Sequence, residues 1–301
     1  MTSSEIIKII PPEFEKKFIQ DKKPHWNFSR QQPDWPNYVR ERSTHPFGVW
    51  AVDLPEHNLN THEYLQSDNK AAWVSNRTRL GKEWYYYDTP VQYTRNSSGF
   101  RTYEWNDIDW KNAIVILGCS CTFGVGVDDK DTISAQLEKL SGRQVVNLGI
   151  PGSSNQYITY CLTQIYKKFD SPTHIICNYT TVDRGMYFHE ADIYHNGPWS
   201  QNTKDRIPTH NASLYRVRSK DLYLNNFYNP VNAMMQTHSY AETNKALCKD
   251  RSNLLEVSFF SDAAHAARVD MKVEIDGSAR DLVHPGRHSF KQMAEWINEQ
   301  L

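Results

Sequence analysis

The sequence predicts an α/β protein, a three-layer α/β/α sandwich built on a parallel sheet, and three observations predict it. From Asn112 onward, apolar strand-like runs alternate with amphipathic helix patterns. The first run, Ile114-Val115-Ile116-Leu117, is continuously β-branched or aliphatic, as a strand covered on both faces requires. It stops at Gly118 and gives way to small polar residues, which marks a tight turn. Alternation at this spacing implies right-handed crossovers between parallel strands. In such sheets ligands gather at the carboxyl edge, so Ser120, just past the first strand, is where a nucleophile is sought.

The elements follow in order. The first strand is expected over Ala113–Leu117 and a helix over Thr132–Leu140, with Asp131 or Thr132 as N-cap. The second strand is Gln144–Leu148, and Gly149, Pro151 and Gly152 make its turn. A helix over Ser154–Phe169 places Tyr157, Ile158, Cys161, Leu162, Ile165 and Phe169 on one face. The third strand is His174–Tyr179 and the fourth Leu254–Phe259, with a helix through part of 221–248. Phe290, Met293, Ala294, Ile297 and Leu301 mark one face of a closing helix. The polar stretch 185–220 has no periodicity and reads as an insertion over the site.

Residues 1–110 have a different texture and are expected to form an aromatic-rich accessory segment to the catalytic domain, 111–301. Tryptophans 26, 35, 50, 73, 84, 105 and 110 fall there, with Tyr85-Tyr86-Tyr87 in a row. Short strands are expected around Val49–Val52 and Trp84–Tyr93. The rings are expected to fill a layer against the main domain; display to sugar faces is the alternative.

Composition narrows the function classes. Lys plus Arg number 34 and Asp plus Glu 35, so no global field draws the chain to nucleic acid or an anionic membrane. The amino terminus lacks the basic and long apolar regions of a signal peptide, so a cytoplasmic, soluble protein is expected and the Asn-x-Ser/Thr sites at Asn27, Asn76 and Asn211 carry no weight. The 5 cysteines, an odd number, read as free thiols. Cys119 and Cys121 lack partners for a zinc set, and His189, Glu190, Asp192 and His195 lack metal-ligand spacing.

Three turns gather the chemistry: Gly118-Cys119-Ser120, Gly149-Ile150-Pro151-Gly152, and Asp281-Leu282-Val283-His284-Pro285-Gly286. In the last, one short loop holds a carboxylate and an imidazole. A carboxylate on Nδ1 fixes the His284 tautomer, leaving Nε2 to take a proton from a serine hydroxyl. His288 is the rival imidazole, but Pro285 stands where its aspartate would be.

At these residues the chain resembles the SGNH hydrolases, also called GDSL esterases and lipases. Their first block, Gly-Asp-Ser continued as Phe-Thr-Phe-Gly-x-Gly, is similar to Gly118-Cys119-Ser120-Cys121-Thr122-Phe123-Gly124-Val125-Gly126. The second-block glycine is matched within Asn147–Gly152, and the fifth-block Asp-x-x-His by Asp281 and His284. Asn96-Ser97-Ser98-Gly99-Phe100-Arg101 resembles the Asn-x-x-Gly-Phe-Arg run that precedes the first block in many members. The resemblance spans roughly 93–301 and implies a flavodoxin-like sheet order. It also implies a two-step acyl transfer: Ser120 as nucleophile, His284 as base, Asp281 as its orienter, and the Ser120 and Gly152 backbone N–H groups at the oxyanion.

There are two departures from the pattern. Cys119 replaces the first-block aspartate, and the third block, Gly-x-Asn-Asp, falls on Thr180-Thr181-Val182-Asp183. A valine cannot donate to an oxyanion, so Asn155 and Thr181 are expected to stand in, ahead of Thr180 and Asn178. The expected function is hydrolysis of a short, acetyl-like O-acyl ester of a small molecule or carbohydrate, with no metal or organic cofactor. The alternatives are an O-acyltransferase and a non-catalytic binding module on the same fold.

Overall fold

The computed structural model describes residues 49–50, 61–65, 68–189, 192–196 and 229–301, with side chains over 61–65, 68–186 and 229–301. All lie in the unit His45–Leu301. The elements before the main sheet are β1 (Val49–Trp50), β2 (Thr61–His62), α1 (Lys70–Leu80) and β3 (Tyr93–Thr94). The chain then runs through β4 (Ile114–Gly118), α2 (Ser120–Phe123), α3 (Ile133–Ser141), β5 (Val145–Gly149), α4 (Asn155–Lys168) and β6 (His174–Tyr179). It continues through β7 (Gly185–His189), β8 (Asp192–Asn196), α5 (Pro230–Cys248), β9 (Asn253–Ser258), α6 (Ser261–Ala267), β10 (Met271–Lys272) and α7 (Arg287–Glu299).

Five strands form a parallel sheet in the order β10–β9–β6–β4–β5. Numbered by appearance within the sheet, that order is 2-1-3-4-5 read from the β5 edge, the flavodoxin-like arrangement. Its switch point lies between β4 and β6, where Gly118 is in register with Asn178. The strand alternation divides the core into two layers. Val115, Leu117, Val146, Leu148, Ile175 and Cys177 face Tyr157, Ile158, Cys161, Leu162 and Ile165 of α4 and the alanines of α5 and α6. Ile114, Ile116, Val145 and Ile176 face Ile133 and Leu137 of α3 and Phe290, Met293, Ala294 and Ile297 of α7.

The helix starts follow the capping chemistry. Thr132 Oγ1 accepts from Ala135 N at 3.2 Å, and Ser154 Oγ from Tyr157 N at 3.4 Å. The Trp84–Tyr93 stretch is not a strand over most of its length. Trp84 N donates to Gly81 O and Tyr87 N to Trp84 O, successive turns that leave only Tyr93–Thr94 to pair with β2. Helix α1 has no counterpart among the sequence expectations because it buries no residue and so shows no apolar period. Its start is set by Asn69 Oδ1, which accepts from Ala72 N at 2.9 Å.

Val49–Trp50 does form a strand, paired with β8, while Ala51 and Val52 lie outside the described residues. Within the polar stretch, β7 and β8 pair as antiparallel strands, in place of the irregular insertion expected there. The ring of Phe100 meets Trp105 edge to face, and Trp105, Trp110 and Phe169 then stack in sequence, Trp110 and Phe169 with centroids 4.0 Å apart, so this aromatic run closes the core over the end of α4. No helix among the described residues is long and apolar enough to cross a membrane.

The Asn-x-x-Gly-Phe-Arg run has a physical explanation. Asn96 Oδ1 accepts from Ser98 N and Phe100 N, which turns the chain and seats Phe100 in the core. Arg101 then uses all five of its donors. Nε bonds Asp129 Oδ1 (2.7 Å), Nη1 the Phe123 and Gly124 carbonyls (3.1 and 2.7 Å), and Nη2 those of Gln92 and Val127 (2.7 and 2.9 Å). Arg101→Ala removes five donors at once and leaves the Phe123 and Val127 carbonyls in the interior without the arginine that pairs them. The expected loss, read by urea unfolding, is about 3 kcal/mol or more, with little recovery in Arg101→Lys, whose ammonium lacks the fork.

Candidate active site

Ser120 opens α2 directly beyond β4 and is 6% exposed. The single turn of α2 lies on the ends of β4 and β5, and both strands end in glycine for that reason. A Cβ on Gly149 would sit 2.4 Å from Phe123 N, and one on Gly118 would sit 2.1 Å from Thr122 Oγ1. Thr122, fully buried, is fastened to both neighbouring strands. Its Oγ1 accepts from Asn178 Nδ2 of β6 (2.9 Å), and its carbonyl accepts from Asn147 Nδ2 of β5 (2.8 Å).

The Ser120 hydroxyl donates to Cys119 Sγ at 3.9 Å, a long sulfur contact, and makes no hydrogen bond to His284. Cys119 and Cys121 are both fully buried and coupled. A hydrogen bond from Cys121 holds the Cys119 thiol well below its ordinary range, aided by Arg184 and Thr180. The same bond, with burial, pushes Cys121 up.

Asp281 and His284 meet as the sequence predicts. The loop is closed by the Ser278–Pro285 bridge and by Ala279 N donating to His284 O at 2.9 Å. Leu282 takes a left-handed φ of 59° at its tip. Asp281 Oδ1 accepts from the backbone N–H groups of Val283 (3.0 Å) and His284 (3.1 Å), which aims Oδ2 at His284 Nδ1, 2.6 Å away. The aspartate side chain is sealed from solvent and the imidazole is 14% exposed. This leaves Nε2 as the outward nitrogen of a ring in fixed orientation. His288 lies in the first turn of α7 instead.

The loop docks on the turn that follows α2. Arg280 N donates to Gly126 O at 2.9 Å, and a Cβ on Gly126 would stand 2.6 Å from Ala279 Cβ and 3.3 Å from Asp281 Oδ1. Gly126 therefore joins the Ser120 side of the site to the Asp281–His284 side.

The expected oxyanion donors divide. Gly152 has φ of 83° in the Ile150–Ser153 turn, whose Ser153 N donates to Ile150 O at 3.1 Å, a type II pattern with Pro151 leading. Ser153 Oγ ties this turn to Gly118 O at 2.9 Å, against the end of β4. Asn155 is placed otherwise than expected. Its amide donates to Thr180 O (2.9 Å) and Thr237 Oγ1 (3.2 Å) and its carbonyl accepts from Thr180 N (2.8 Å), so one hydrogen holds the β6 turn and the other helix α5. Asn178 is committed to Thr122, and Val182 is buried with its N–H on Asp262 Oδ2.

Thr181 keeps a hydroxyl proton, since its Oγ1 accepts from Arg184 Nε at 3.1 Å. Arg184 also reaches Ser153 O at 3.4 Å, bridging the second and third turns of the site. It escaped the sequence reading because it stands two residues beyond the block position searched. Asn76 is packed inward, its amide donating to Arg280 O at 3.3 Å. The side chains of His189, Glu190, Asp192 and His195, with Asn27 and Asn211, lie outside the described side chains.

Gly126→Ala tests the junction. It combines a left-handed φ of 82° with the close approach of Ala279. The expected destabilisation is about 1–3 kcal/mol, measured by chemical unfolding.

No protein-family model matches the chain, and no curated protein matches it. Solved structures do. One is a member of the lipolytic protein G-D-S-L family from Veillonella parvula, 16% identical, covering 62% of this chain and 96% of that one, with a TM-score of 0.29. Another is TesA, 12% identical, covering 62% and 97%, with a TM-score of 0.35. A third is an acetyl xylan esterase from the rumen bacterium Butyrivibrio proteoclasticus, 12% identical, covering 70% of this chain and 65% of that one, with a TM-score of 0.32.

Proposed function

We propose that the protein is a serine ester hydrolase of the SGNH kind, with Ser120 as nucleophile, His284 as general base and Asp281 as its orienter. The observation that carries this reading is the Asp281–His284 couple, 2.6 Å from Oδ2 to Nδ1, docked through Gly126 on the turn that follows Ser120. The carboxylate selects the tautomer with the proton on Nδ1, so Nε2 is basic and can take the Ser120 proton when substrate binds. Catalytic hydrogen bonds commonly tighten only in the substrate complex, and a rotation about Ser120 χ1 releases its proton from Cys119.

Attack on an ester carbonyl forms a Ser120 acyl-enzyme and expels the alcohol, which receives the proton from His284. Water, activated by the same imidazole, releases the acid. The developing oxyanion is assigned to the backbone N–H groups of Ser120 and Gly152, with the Thr181 hydroxyl as the side-chain donor. The substrate class that fits is a short O-acyl ester, acetyl-like, on a small alcohol or sugar.

A second reading, a binding module that keeps the fold, is favoured by one observation: the Asn155 and Asn178 amides are committed to structure, and Val182 stands at the third block. Hydrolysis of an aryl acetate separates the two. The expected outcome is turnover by the wild type, loss to background in Ser120→Ala, and a fall of about 10³–10⁴-fold in Asp281→Asn. Equal rates in wild type and Ser120→Ala, with no labelling by a fluorophosphonate, would leave the binding module standing.

A further inference from the structure

We propose that the buried Arg280–Asp68 pair positions the Asp281–His284 loop, so that a segment preceding the sheet completes the catalytic machinery; this rests on the hydrolase reading above. Arg280 immediately precedes the orienting aspartate. Its Nε and Nη2 each bond one oxygen of Asp68 at 2.8 Å, a two-pronged geometry that fixes angle as well as distance. Both side chains are buried, at 3% and 1% exposure. Nη2 also donates to the Glu63 carbonyl, and the guanidinium lies over the Tyr64 ring, 4.7 Å from its centroid.

The pair is one side of a closed ring. Tyr93 OH donates to Asp68 Oδ2 and accepts from Gly126 N at 2.8 Å, while Gly126 O accepts from Arg280 N at 2.9 Å. Burial, then Asp68, pushes the Tyr93 phenol up, so it remains a donor. The ring therefore runs from the Arg280 backbone through Gly126, Tyr93 and Asp68 to the Arg280 side chain. Residue 281 begins where it closes.

A buried ion pair is weak evidence for stability, since well-packed apolar residues of the same volume often do as well. Its distinct contribution here is geometric. Without the fork, the backbone at 280 keeps only its bonds to Gly126 O and from the helix residue Asn76, and the Asp281 carboxylate loses the constraint that fixes its angle. Misplacement of a catalytic group by about 1 Å lowers rate on the order of a hundredfold. Arg280, Asp68 and Tyr93 are positioning residues in this scheme: they hold the loop and touch no substrate.

The test uses the full chain with Arg280→Lys, Asp68→Asn and Tyr93→Phe, the last removing only the phenol oxygen. Expected are kcat reductions of about tenfold or more for the two charge variants and a smaller one for Tyr93→Phe, with KM within about twofold. The downfield proton resonance of His284 Nδ1–H, read by NMR, is expected to weaken or shift in all three while thermal unfolding stays cooperative. A kcat per folded molecule within twofold of wild type, or an unchanged His284 resonance, overturns the proposal. Where a charge variant fails to fold, Tyr93→Phe decides by the same two readouts. A wild type that hydrolyses nothing sinks the hydrolase reading alone, and the His284 resonance then decides the positioning role by itself.

Discussion

The structure of the site depends on how the turn Gly124–Val127 is held. Helix α2 is four residues long, too short to be stable by its own hydrogen bonds, yet it carries Ser120. Arg101 grips the carbonyls of Phe123, Gly124 and Val127 from outside the sheet, and Gly126 is bound at both of its peptide groups, to Tyr93 and to Arg280. On one side of the turn lies the serine; on the other lies the Asp281–His284 loop. Two residues about 160 positions apart are thereby related through one rigid corner.

A layer of buried amides supports that corner from below. Asn147, Asn178 and Asn155 each link a turn at the carboxyl edge to a strand or helix behind it: Asn147 and Asn178 to Thr122, Asn155 to Thr180 and Thr237. A buried amide left unpaired is costly, so Asn147 and Asn155, bonded at both nitrogen and oxygen, are fixed by their partners, while Asn178 is held through Nδ2 alone. Asn155 can therefore locate the β6 turn or donate to a substrate, and its geometry assigns it to the turn. In the proposed mechanism the oxyanion is therefore assigned to the backbone N–H groups of Ser120 and Gly152 and to the Thr181 hydroxyl, and not to Asn155.

Legibility in the sequence followed the range of the interactions. The strands β4, β5, β6 and β9 and the helices α3, α4 and α7 were readable because their apolar pattern is local, and Thr132 and Ser154 cap where a short hydroxyl precedes an apolar period. Asp281 and His284 were readable because three residues separate them and one loop holds both. Helix α1 carries no such pattern, and β10 is only two residues long. Asp68 and Arg280 are 212 positions apart, and nothing near either names the other. A buried ion pair is a property of the folded neighbourhood, and the segment holding Asp68 has no motif to draw attention to it.

The N-cap of α2 contributes little to the hold on this corner. In the family this chain resembles, the first block carries aspartate at that position, a residue well suited to accept from the N–H groups that open a helix. Cys119 makes no side-chain capping hydrogen bond to α2. A thiol is a weak acceptor, so the amino end of this single turn gains little from its own N-cap. Its hold comes from the other end, where Gly124 N closes on Ser120 O at 2.9 Å and Arg101 satisfies the carbonyls left open beyond it. Ser120 is thus oriented from the carboxyl end of its helix, where the buried Arg101 holds the carbonyls that the helix leaves open.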